Sequence, residues 1–261
     1  MADTDQDALD TGATRRRWLI IGGAIFGVLV VVGAAALYWY LNQPVPEEVS
    51  LEGAVADVTA TETSSQSSTT IAPAEIGVEG IWVVDTSIGD FTFEDATSSF
   101  AGFRIDEELA SIGATTAVGR TPALEGSLTL EGTTITETSF TADLSAIVTN
   151  ASRRDSAVQR ALDTGTFPIA AFTLTEPIDL GTIPEDGIPV SVIAVGTLEI
   201  KGVSQPVEIP LETQLVGELI VVVGAVDITF ADWGVQMPTS PGVVSVEDHG
   251  ILELQLFLTL G

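Results

Sequence analysis

Residues 192–230 read VIAVGTLEIKGVSQPVEIPLETQLVGELIVVVGAVDITF, and this stretch decides the fold. Apolar and polar residues alternate from Val192 to Ile200, the chain turns at Lys201-Gly202, and alternation resumes through Val207–Leu215. A second turn at Val216-Gly217-Glu218 leads into Leu219–Phe230. Successive side chains on a strand point to opposite faces, so period-two alternation bounded by glycine turns marks antiparallel hairpins.

The same pattern extends in both directions. Leu124–Leu130 and Ile135–Leu144 alternate around a short turn at Glu131–Thr134, Phe91-Thr92-Phe93 alternates, and Ile251–Leu260 closes the chain. One stretch breaks the period: Ser152–Asp163 (SRRDSAVQRALD) is helical, with Ser152 placed to cap its start and Gly165 just past its end. Many strands with one short helix predict an all-β, antiparallel barrel of about eight strands over residues 80–261.

Upstream, residues 18–41 (WLIIGGAIFGVLVVVGAAALYWYL) contain no charge. At about 1.5 Å per residue they are long enough to cross the ~30 Å core of a bilayer. Arg15, Arg16 and Arg17 precede them and Tyr38, Trp39 and Tyr40 end them, which predicts a single-pass anchor with a cytoplasmic N-terminus and an extracytoplasmic barrel. The alternative, a cleaved export signal of twin-arginine type, calls for an apolar region of only about 7–15 residues. Residues 1–17 form a polar tail; their aspartates lack the glycine pivot and closing Glu of a calcium loop. Residues 42–79 are rich in Pro, Ser, Thr and Glu, without basic or aromatic residues, and read as a disordered linker.

Composition excludes several functions. The chain has 261 residues, 37 acidic against 9 Lys plus Arg, and a net charge of −28, which leaves nucleic acid repelled. There is no Cys, hence no thiolate chemistry, and one histidine, His249, cannot make a multi-histidine metal site. His249 follows Asp248, but neighbours on a strand face opposite ways and do not orient one another as a dyad; a rim position is expected. No catalytic residue, cofactor or metal is expected.

Four ordered landmarks carry a family resemblance. Trp82-Val83-Val84-Asp85 with Ser87 opens the domain; Thr149, Arg154-Asp155, a helix, Phe167-Pro168 and Phe172 follow. Then come Gly196-Thr197-Leu198 through Gly202-Val203 with Pro206-Val207, and finally Asp232-Trp233-Gly234-Val235. In this order the motifs resemble those of the YceI-like family of bacterial lipid-binding proteins. Ala157 stands where that family often has histidine, which weakens any headgroup contact from that position. The resemblance implies an extended, lipocalin-like barrel whose lumen takes an isoprenoid lipid, a quinone or a polyprenyl chain.

Within such a barrel the aromatic candidates for ligand contact are Phe91, Phe93, Phe100, Phe103, Phe140, Phe167, Phe172, Phe230 and Trp233. Trp82 and Phe257, on the terminal strands, look structural. Arg153 and Arg154 have two readings, as headgroup contacts at the barrel mouth or as local pairs at the helix start. The domain carries 26 acidic and 6 basic residues, net −20, so a neutral isoprenoid is favoured over a phosphate-headed one. The competing function classes are a surface interaction module with a side-chain-filled barrel, and a hydrolase or isomerase acting on a lipid in the lumen.

Overall fold

The structure, a computed structural model, describes residues 31–32, 45–65, 77–110, 113–238 and 243–261. Residues 45–261 form one compact unit. The expected tail (1–17) and, apart from helical Val31 and Val32, the expected anchor (18–41) lie outside the described residues. Among the described residues no helix is long and apolar enough to cross a membrane.

Thirteen strands make one antiparallel sheet. In chain order they are β1 (Gly80–Val84), β2 (Phe100–Leu109), β3 (Gly113–Thr121), β4 (Leu124–Glu131), β5 (Thr134–Asp143), β6 (Val148–Thr149) and β7 (Ile169–Leu174). Then follow β8 (Ile178–Asp179), β9 (Pro189–Ile200), β10 (Val203–Val216), β11 (Leu219–Thr229), β12 (Val243–Val246) and β13 (His249–Leu260). The order β1-β4-β5-β7-β9-β10-β11-β13 closes when β1 pairs with β13, giving an eight-strand barrel; β2 and β3 extend its wall from β13.

The strands read from alternation sit where expected, with ends shifted by a few residues. One expectation fails, and two strands go beyond the sequence reading. Phe91-Thr92-Phe93 is a loop held by a single bridge from Phe91 to Ala96, because Thr92 and Asp95 bond each other locally. The strands β2 and β3, absent from the sequence reading, put Arg104 and Arg120 but also Phe100 and Val118 outward, against inward Phe103, Ile105 and Ala117.

The linker expectation fails for residues 45–65, while residues 42–44 and 66–76 of that linker lie outside the described residues. Leu51–Ser65 forms a helix, α1, and residues 45–50 lead into it against the barrel wall. Leu51, Ala54 and Val58, at i, i+3 and i+7, are buried on Val221, Val223 and Phe257, which point outward from β11 and β13. Composition spoke for disorder, but three small apolar residues at helical spacing found an apolar patch to cover.

The second helix, α2 (Ser152–Leu162), starts from Ala151, not from Ser152, and no side chain caps it. Its C-terminal cap is Asp163 in the left-handed region, two residues before the glycine expected there. Leu162, Val158 and Ala161 pack into the barrel-end core with Phe103, Ile147, Phe230 and Trp233.

Candidate functional site

The register sorts inner from outer residues. Leu128 faces Thr138, Thr213 faces Val222, and Leu215 faces Ile220, and these apolar partners belong to the inner core. Along β13, Leu252, Leu254, Leu256 and Leu258 point inward, while Glu253, Gln255 and Phe257 point outward.

The inner side chains leave a cavity with about 180 Å³ in which the centre of a water-sized molecule could move. A single water needs only about 10–15 Å³ on that measure, so the space is an order of magnitude larger than a water site. Its walls are Leu128, Leu130, Phe140, Phe172, Val192 and Leu211 with their neighbours, almost all aliphatic. Thr138 and Thr213 supply inward hydroxyls. Glu253 borders the cavity through its main chain, since its carboxylate is held on the outer wall.

The cavity reaches the surface beside the loop 180–188, where Pro184 and the exposed Ile188 line it. This loop is fastened to the barrel: Gly217 N donates to Asp186 Oδ1 at 2.8 Å, and Gly187 N donates to Leu215 O at 2.8 Å. From that rim β9 runs twelve residues, about 40 Å, to Lys201 at the opposite end.

Of the nine aromatic candidates, the structure brings Phe140 and Phe172 to the cavity. Phe103, Phe230 and Trp233 fill the core that closes the far end, where Trp233 Nε1 donates to Leu198 O at 3.1 Å. Phe91 and Phe93 lie half-buried in the loop before β2. Phe100 is on the outer wall beneath Arg120, whose Cζ stands 4.4 Å from the ring centroid. Phe167 lies outside, against Gly202, so two of the sequence landmarks meet there.

The arginine candidates leave the mouth altogether. Arg153 and Arg154 lie on α2, at the end away from the loop 180–188; Arg153 is exposed, and Arg154 pairs with Glu107 and Asn150. Asp155 takes bonds from Thr149 N and Thr149 Oγ1, both at 2.7 Å, which explains the Thr149 and Arg154-Asp155 landmark as a structural lock. His249 is 68% exposed and its Nε2 is 2.7 Å from Glu247. It sits at the start of β13, at the rim.

Sequence reading missed the outer ionic cluster. Arg104 Nε donates to Glu253 Oε2 at 2.8 Å and Arg120 Nε to Glu253 Oε1 at 3.0 Å, with all three side chains at most 8% exposed. Burial lowers the Arg120 pKa below its ordinary value, Arg104 adds to that, and Glu253 opposes it. A signal existed for two of the three: Arg104 stands between Phe103 and Ile105, and Glu253 between Leu252 and Leu254, in stretches that alternate.

Residues 82–258, about two thirds of the chain, match the model of the YceI-like domain. The chain belongs to the YceI-like family. No curated protein sequence matches it. Among solved structures, it is similar to a polyisoprenoid binding domain from Saccharophagus degradans implicated in plant cell wall breakdown. That likeness has 18% identity and a TM-score of 0.55, over 70% of this chain and 99% of that one, and shows a shared fold. Burkholderia cenocepacia BcnA aligns at 17% identity and TM-score 0.49, over 67% and 98% of the two chains. The Campylobacter jejuni YCEI protein aligns at 14% and 0.43, over 82% and 99%.

Proposed function

We propose that this YceI-like domain is a binding protein, not an enzyme, that shelters the apolar chain of a neutral isoprenoid lipid such as a quinone. The observation that carries this reading is the cavity: aliphatic walls, two inward hydroxyls and a surface opening at the loop 180–188. Each methylene moved from water into such a lumen gains about 0.8 kcal/mol. The solved domain from Saccharophagus degradans, which has the same fold, is described as polyisoprenoid-binding.

Charge placement favours a neutral head. Of the six cationic side chains in residues 80–261, Arg104 and Arg120 are bound to Glu253 and Arg154 to Glu107. Lys201 Nζ donates to Ala161 O and Gly234 O, and Arg153 and Arg160 lie on α2. A phosphate at the mouth would meet no cation, whereas a quinone carbonyl could accept from Thr138 or Thr213. The side-chain-filled barrel of the interaction-module reading does not describe the half of the lumen around Phe140 and Phe172.

Residues 18–41 are proposed as the membrane anchor, holding the barrel outside the cytoplasm and near the bilayer that supplies its lipid. Native mass spectrometry of residues 45–261, purified without detergent, tests the binding reading. A stoichiometric adduct with isoprene-spaced fragments is expected. A mass that stays bare after incubation with isoprenoid quinones and polyprenols would reject it.

A further inference from the structure

The outer wall carries a buried cluster that lumen binding does not use. Two guanidiniums share the single carboxylate of Glu253 and keep donors to spare. Arg104 Nη2 donates to Pro46 O at 2.6 Å and also to Glu47 O, and Arg120 Nη2 donates to Glu47 O at 2.7 Å. Four residues further on α1 begins, and it covers Val221, Val223 and Phe257, at 0%, 4% and 0% exposure. The wall thus recognises two successive main-chain carbonyls followed by a helix with a narrow apolar stripe.

We propose that this wall is a binding site for a polypeptide segment, and that residues 45–65 occupy it in cis as a releasable latch. Three observations separate a latch from an integral element. The barrel closes through its own β1–β13 pairing, and the family match begins at residue 82, beyond the latch. No described strand pairs with residues 45–65; side chains of Arg104 and Arg120 hold their main chain. Among the described side chains of the helix, Leu51, Ala54 and Val58 are buried, and Val55 packs partly against the same patch.

Release frees the Arg104 and Arg120 Nη2 donors that now meet Pro46 O and Glu47 O. The connection 66–79 spans up to about 50 Å when extended, enough for the latch to leave while β1 stays paired. Released, residues 45–79 add up to about 120 Å of reach to the barrel. The latch therefore sets how far the barrel strays from whatever precedes Val45. The meaning of that reach rests on the proposed anchor; the latch does not.

Amide hydrogen exchange on the full-length protein in lipid nanodiscs tests the proposal. Amides of residues 54–60 are expected to exchange roughly 100-fold or more faster than those of β11, yet slower than an unstructured peptide. Val58→Asp, a change confined to the latch, is expected to bring them to unprotected rates while β11 and β13 stay protected. A peptide of residues 45–65 should then bind the Val58→Asp protein saturably, and at least about tenfold more weakly when Arg104→Met is added. Latch amides as slow as the barrel's slowest, or β11 deprotected by Val58→Asp, would make the segment integral and overturn the latch. Unprotected latch amides in the wild type, or no peptide binding, would overturn the site itself.

Discussion

The ring of Phe172 lies across Gly196, so close that a Cβ at 196 would stand 2.5 Å from its ring carbons. Both residues face the lumen, Gly196 from β9 and Phe172 from the neighbouring β7. Phe140 covers Gly126 in the same way, with a Cβ at 126 only 2.3 Å from its ring. In each pair the ring fills the space that the glycine leaves, so the wall has no hole there.

Gly196→Ala therefore has a definite consequence. The added methyl pushes the Phe172 ring toward the cavity or bends β9, an overpacking cost of about 1–3 kcal/mol. Chemical denaturation should show that loss, and the lumen should take up a fluorescent polyene less well. A Cβ at 196 would also stand 2.5 Å from Thr173 O, so unchanged stability and uptake would mean that the ring and the β7 main chain both yield without cost.

The fold was legible because lumen and exterior impose opposite chemistry on successive residues, as in Leu252, Leu254, Leu256 and Leu258 against Glu253 and Gln255. Strands β2 and β3 are not legible because outward Phe100 and Val118 are as apolar and as buried as inward Phe103 and Ala117, which blurs the alternation. Residues 45–65 are not legible from composition, which reports what a chain lacks and passes over the helical spacing of Leu51, Ala54 and Val58. Site residues were half legible for a related reason. Alternation marks an inward aromatic, but only the fold separates Phe140 and Phe172, along the open lumen, from Phe103, Phe230 and Trp233, which plug its end.

Glu253 is the hub of a buried ionic cluster, so Glu253→Gln should destabilise the protein by about 3–5 kcal/mol by leaving two buried guanidiniums short of their counter-charge. Thermal unfolding of the variant measures this. The contrast is the triple replacement Arg104→Met, Arg120→Met and Glu253→Met, which removes the charges together and should recover most of the barrel's stability while loosening the latch.

Asp155 receives both Thr149 hydrogen bonds, at 2.7 Å each, and so ties β6 to the first turn of α2. Asp155→Ala leaves the Thr149 amide without its partner and should cost about 1–3 kcal/mol. If the motif were a headgroup site instead, Asp155→Ala would alter lipid retention and leave unfolding unchanged.

Ala142 and Ala170 face each other across β5 and β7 and both line the cavity. Ala170→Trp puts an indole where the lipid chain would lie, in space that is empty, so folding should survive while binding fails. Native mass spectrometry should find the variant folded and bare. An adduct at wild-type occupancy would place the lipid elsewhere on the molecule.

The last expectation concerns pH. Burial raises the pKa of Asp57, on α1, above its ordinary 3.8, and the negative charge of Asp95 raises it further. The charged form is thus disfavoured when the latch is docked. Docking has its full strength below pH 3.8, where Asp57 is protonated docked or free, and weakens as pH rises through the elevated value of the docked state. The penalty then persists at neutral pH. Asp57→Asn removes the ionisation, so at pH 7 its α1 amides should exchange more slowly than the wild type's, and the difference should shrink on acidification and vanish well below pH 3.8. Faster exchange in the variant at pH 7 would show that the carboxylate supports docking through its other contacts.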